Sequence, residues 1–217
     1  MSSNFEATSN TIPDPFDFFR FRGPSDFDHR NRMVDSLVWQ IPDAGRAMGS
    51  KFASAILANW QSSAIITLQS GSPFTIYSTD DAVAGAGTAN ADVTGTVQLS
   101  SSRSRGAQIA EYFNTSAVTQ AAPGTYGTLG RNSLVGPGFA NVDFAMFRNF
   151  PLRFIGEAGR LTFRAEFFNL FNRPNLDNPG DPNLSSPGNM IGSASFGQIT
   201  ATASPARILQ FSAKVVF

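Results

Sequence analysis

The stretch ILQFSAKVVF, residues 208–217, decides the fold class. Leu209, Phe211, Ala213, Val215 and Phe217 fall on one side of an extended chain. Gln210, Ser212 and Lys214 fall on the other, because successive strand side chains point to opposite faces. An alternating stripe that ends in a terminal aromatic resembles the assembly signal of bacterial outer-membrane barrels. Such a last strand must show a lipid-facing stripe and a free pairing edge, since an open edge does not persist in hydrocarbon. An ordinary amphipathic strand at a chain end has the same pattern, so the rest of the chain must decide.

Four more segments alternate with period two. In Asn59–Gln69, Trp60, Ala64, Ile66 and Leu68 oppose Gln61, Ser63, Thr67 and Gln69. In Ala140–Asn149, Val142, Phe144 and Met146 oppose Asn141, Asp143 and Asn149. In Arg160–Phe171, Leu161, Phe163, Ala165, Phe167 and Phe171 oppose Thr162, Arg164 and Glu166. Arg32–Ile41 fits least well, because Asp35 shares a face with Met33, Leu37 and Trp39. The segments run 10 to 12 residues. A globular strand typically has about 5–6 residues, and a tilted membrane strand about 9–11.

The connections alternate as well. Gly71–Phe139 and Asn172–Arg207 are long and rich in Gly, Ser, Asn or Pro, whereas Phe150–Gly159 is a short turn. Long loops on one side and short turns on the other are the sidedness of an outer-membrane barrel. With Phe217 at the periplasmic rim, both long loops are extracellular, and Phe150–Gly159 and Pro42–Ala58 are periplasmic. Helical signals are few: Lys51–Asn59 and residues 105–113, with Asp43-Ala44-Gly45 read as a turn and Phe196–Ala203 as a short strand extension.

Composition narrows the function classes. Among 217 residues, 16 Lys+Arg balance 16 Asp+Glu, and only 15% are charged, which argues against a nucleic-acid binder. With no cysteine and one histidine, His29, the chain offers no thiolate chemistry, disulfide scaffold or multi-histidine metal cluster. There are 21 Phe beside 3 Tyr and 2 Trp. The first residues, MSSNFEATSNTIPDPFDFF, lack a basic and then apolar leader pattern, and no stretch approaches the roughly 20 apolar residues of a spanning helix. The expected class is all-β: an antiparallel transmembrane β-barrel segment of five long strands, a partial barrel with long extracellular loops. Residues 1–31 read as a loop-like segment and 32–217 as barrel.

Within that frame Asp143, Arg164 and Glu166 form a polar network on the lumen side. A structural network is favoured there over a ligand or ion path. Arg148 falls on the apolar side near a short-turn end, where its head reaches the headgroups. Trp39, Trp60, Phe150 and Phe217 also lie near short-turn ends, as an aromatic girdle predicts. Other motifs carry little. Gly124, Gly127 and Gly130 lack the strand and helix of a dinucleotide fingerprint. Asp80, Asp81, Asp177 and Asp181 lack metal-loop spacing. Asn114-Thr115-Ser116 matches a glycosylation sequon, and His29 has no partner at catalytic spacing, so an enzyme is not expected.

Taken in order, DFDHRNRMVDSLVWQIP (26–42), NWQSSAIITLQSGSPFTI (59–76), YFNTSAV (112–118), GTYGTLGRNSLVGPGFANVDFAMFRNFPL (124–152), RLTFRAEFFNLFNRPNLDNP (160–179), FGQIT (196–200) and PARILQFSAKVVF (205–217) resemble the C-terminal end of TonB-dependent outer-membrane receptors. The nearest type is Oar-like, with a carboxypeptidase-regulatory-like domain. The resemblance implies the last five strands of a plugged barrel of about 22 strands. It implies outer-membrane localisation, lipid and the barrel-assembly machinery as partners, and dependence on the remainder of the barrel and its plug. TonB contact would run only through that missing N-terminal part. It implies no cofactor, no metal and no catalytic residues, and a piece not transport-competent alone. Asp35 and the Ala47–Ala58 stretch, without a glycine-rich strand entry, depart from the pattern. The competing expectations are a soluble β-sandwich carbohydrate-binding or adhesion module, whose apolar faces would be covered by a second sheet, and an oligomer whose subunits share one barrel.

Overall fold

The computed structural model describes residues 22–78, 89–179 and 188–217, together with Asp17 and Phe19. In chain order the elements are β1 (Arg32–Gln40), α1 (Ala44–Ala47), α2 (Lys51–Leu57), β2 (Trp60–Gln69), β3 (Pro73–Phe74), β4 (Asp92–Val93), α3 (Arg105–Ala110), β5 (Val118–Thr119), β6 (Leu134–Val135), β7 (Phe139–Pro151), β8 (Arg160–Phe168) and β9 (Ile208–Val216). All five expected long strands form, and they make one sheet in the order β1-β2-β7-β8-β9.

The register keeps the alternation in phase. Leu161, Phe163, Ala165 and Phe167 of β8 face Val215, Ala213, Phe211 and Leu209 of β9. On β7 they face Phe150, Arg148, Met146 and Phe144. The other surface aligns Thr162 with Lys214, Arg164 with Ser212, and Glu166 with Gln210. A one-residue slip would exchange the two faces. In the β1–β2 pair, Met33, Leu37 and Trp39 oppose Leu68, Ala64 and Ser62, and Asp35 opposes Ile66 on the same apolar side.

The strand β8 ends earlier than its alternation predicts. Asn169 takes φ 52°, its main-chain N–H donates to Asp143 Oδ1 (2.9 Å), and its side-chain amide donates to the carbonyls of Arg173 and Pro205. Asn tolerates this left-handed geometry at low cost. Phe171 therefore leaves the strand and lies exposed in the turn.

The chain divides into two compact units. One is the five-stranded sheet with α1 and α2, made of Arg32–Gln69, Ala140–Pro174 and Ser204–Phe217. Both edge strands are exposed along both faces, and Phe211 at the centre of β9 is 63% exposed. Among the described residues no second sheet lies within this unit, so the covered apolar face of a sandwich is not found.

The other unit gathers the described residues up to Asn31 with Ser70–Phe139 and Asn175–Ala203. It holds the main hydrophobic core. Phe74, Ile76, Ala91, Val97, Phe113, Ala117, Val118, Leu129 and Leu134 are buried together. Phe113 is 1% exposed, with ring contacts to Phe74 at 6.1 Å and Phe196 at 5.3 Å. The strands here are two-residue pairs, β3 with β6 and β4 with β5. The expected extension at Phe196–Ala203 is only a single bridge between Leu176 and Thr202, because residues 194–197 turn back on themselves.

Both helical expectations hold in shortened form. Ser50 caps α2 by accepting the Ala53 N–H (3.2 Å), and Asn59 at φ 62° ends it. Ser104 caps α3 in the same way. The expected turn at 43–45 is instead the start of α1, where Asp43 accepts the Arg46 N–H at 3.1 Å.

Candidate functional site

Two surfaces carry chemistry, and each belongs to a single unit. The first is the apolar face of the sheet. Five aromatic rings run across it in contact: Phe144 to Phe167 (6.2 Å), Phe167 to Phe211 (6.5 Å), Phe211 to Phe163 (6.5 Å) and Phe163 to Trp60 (6.2 Å). The residues of the terminal stripe behave as two groups. Leu209, Phe211, Ala213 and Val215 alternate on this face, whereas Phe217 lies one residue past the strand and is 92% exposed.

The polar face carries the expected charged residues in two places. Arg164 and Glu166 pair along β8 at 2.7 Å. Asp143 is engaged elsewhere, accepting from Asn141 Nδ2 (2.8 Å) and from the Asn169 main chain. It secures the end of β8, while Thr162 donates to Asn149 farther down the same face.

At the opposite end of the sheet the structure corrects one reading. Arg148 is 5% exposed and does not reach outward to headgroups. Its guanidinium donates to the Ile56 carbonyl at the end of α2 and sits 4.3 Å from the centre of the Phe150 ring. Trp60 Nε1 donates to the same carbonyl at 2.9 Å. The helix thus lies against the apolar side of the sheet over a buried cation. Of the expected girdle, Trp39 is exposed, while Trp60 and Phe150 are half-buried in this contact.

The second surface is a cleft of about 370 Å³ in the loop-built unit. Arg22, Arg30, Arg131, Asp28, Asn132 and Gly71 contribute to its lining. Asp26 pairs with Arg131 at 3.0 Å and also accepts from Asn132 Nδ2. Asn132 is buried at φ 51°, its main-chain N–H donating to Thr75 Oγ1 (2.7 Å). The walls approach at glycines: a Cβ on Gly71 would meet the Gly136 carbonyl oxygen at 1.8 Å. This cleft was not legible as a site, because its arginines come from segments about a hundred residues apart. The nearest signal was the pair of polar runs around His29 and Asn132.

The remaining motifs have structural roles. His29 Nδ1 contacts the Ser70 carbonyl at 3.1 Å. Asn114 accepts from the Ser116 N–H, and Asp177 from the Asn178 N–H. Gly124 and Gly127 are positive-φ turn positions. Asp80, Asp81 and Asp181 lie outside the described residues.

A family model described as an outer membrane beta barrel domain matches residues 1–210. No curated protein and no solved structure matches the chain. The open antiparallel sheet with its exposed apolar stripe accords with that family, whose place is the bacterial outer membrane. The chain belongs to the outer membrane beta barrel domain family.

Proposed function

We propose that this chain is a section of a TonB-dependent receptor of the Oar-like type, supplying barrel wall and extracellular loops. It is not transport-competent alone and performs no catalysis. The reading is carried by strand direction at the two open edges. Three pairings are antiparallel. The fourth follows from contacts: Arg148, near the end of β7, reaches Ile56 just before β2 begins, so β2 and β7 run oppositely. Hence β1 and β9 run the same way.

Closing such a sheet on itself, or on copies of itself, makes a parallel seam. An outer-membrane barrel is antiparallel throughout. An odd number of further strands must stand between β9 and β1, which the rest of a barrel of about 22 strands supplies. This favours the receptor reading over an oligomer of identical five-stranded subunits.

The loop-built unit is then the receptor surface, since recognition concentrates on loops held by a rigid scaffold. Three guanidiniums around one cleft suit a ligand carrying carboxylate or phosphate. Crosslinking in detergent, on outer membranes of the producing cells, tests the assignment. The expected product joins this chain to a non-identical barrel section. A ladder of identical subunits, or a soluble monomer without detergent, overturns it.

A further inference from the structure

We infer that α2 is a membrane-interface anchor, its outer face seated in phospholipid at the short-connection end of the sheet. On α2, Phe52 and Ile56 stand four residues apart and share one helical face, and Met48 lies in the turn just before the helix. All three are exposed, Phe52 at 78%. Ala53, Ser54 and Ala58, on the inward side, are half-buried. A helix that shows its apolar residues outward needs an apolar medium there.

The occupant follows from where the helix is attached. The Ile56 carbonyl accepts from Trp60 and Arg148, and both residues lie on the apolar face of the sheet. The membrane localisation makes that face the lipid side, and the inference rests on it. So α2 sits outside the wall, not within it. It covers the Arg148 guanidinium and presents a new apolar surface in its place.

Two more observations point to an interface and not to a protein groove. From Ala44 to Ala58 the chain has two cations, Arg46 and Lys51, and no acid, which complements anionic headgroups. At the same end of the sheet Trp39, Phe154 in the β7–β8 turn and Phe217 are also exposed, continuing the belt sideways. Belts of this kind settle where hydrocarbon meets headgroups.

The chain contains no cysteine, so single labels are clean. The chain is refolded together with the barrel section that completes it in vesicles of phosphatidylethanolamine and phosphatidylglycerol. Met48→Cys, Phe52→Cys, Lys51→Cys and Phe211→Cys forms each carry an environment-sensitive fluorophore. Labels at 48 and 52 are expected to be quenched several-fold more by a shallow lipid-borne nitroxide than by aqueous iodide, with the order reversed at 51. Either of the two apolar positions suffices if the other variant does not assemble. Iodide access at 48 and 52 equal to that at 51 overturns the anchor, as does protection from both quenchers, which would mean a protein partner. Failure of the nitroxide to reach 211 would instead overturn the lipid-facing sheet itself.

Discussion

The guanidinium of Arg148 donates to the main-chain carbonyl of Ile56. A cation on the apolar side of the sheet is thereby joined to the C-terminal end of a short helix, where the helix dipole is negative. A charge-assisted hydrogen bond contributes about 1.5–3 kcal/mol, and stacking over Phe150 adds about 0.5–2 kcal/mol. Near a membrane interface a lipid-side arginine costs only about 0–1 kcal/mol. The attraction therefore wins. Arg148→Met is expected to destabilise the seat of α2 by about 1–3 kcal/mol, read as faster amide exchange at Ser54 and Ala58, with the register of β8 and β9 unchanged.

Much of the sheet was readable before any coordinates. Alternation in Arg160–Phe168 and Ile208–Val216 set which side chains share a face, while the register that pairs Leu161 with Val215 and Arg164 with Ser212 came from the fold, since a two-residue slip would leave the faces unchanged. The loop-built core was not readable in this way. Phe74, Ile76, Phe113, Leu129 and Leu134 show no period, and their strands are two residues long, so nothing local marks them as partners. Arg148 was legible as an interruption of an apolar stripe, and Lys51–Asn59 as a short helix. Only the fold brings the two together over the Ile56 carbonyl.

That core makes the loops a folded body, and among the described residues Phe113 is its largest fully buried side chain. Phe113→Ala removes a buried ring that touches Phe74 and Phe196. Truncations of this kind cost about 3–5 kcal/mol. Limited proteolysis is expected to open the loop-built unit of the variant while the sheet strands stay protected. Equal protease resistance in wild type and variant would refute the packed-loop account.

Gly71 tests the cleft. Its absent side chain lets the main chain pass the Gly136 carbonyl, and a Cβ would stand 1.8 Å from that oxygen. The obstacle is backbone, so Gly71→Ala forces the walls apart at about 1–3 kcal/mol, the usual cost of overpacking. Gly106→Ala is the control, since nothing lies within 4 Å of its Cβ position. Parallel urea titrations are expected to separate the two variants, with Gly71→Ala shifted to lower urea and Gly106→Ala, inside α3, unchanged or slightly raised.

Tyr112 gives the loop-built unit a pH signature. Burial pushes its phenol from 10.0 up to about 12, against the opposing pull of Arg103. The neutral hydroxyl donates to the Val135 carbonyl at 3.0 Å. Between pH 10 and about 12 the unfolded chain has released this proton and the folded one has not. The unfolded state then binds fewer protons, so stability falls as pH rises through that window. Below pH 10 the contribution is fully present. Phenolate absorbance of wild type minus Tyr112→Phe is expected to show a transition near pH 12, and the variant should lose the corresponding part of the alkaline destabilisation. A transition near 10 would mean that the Tyr112 ring is open to water and that the loop packing around it is wrong.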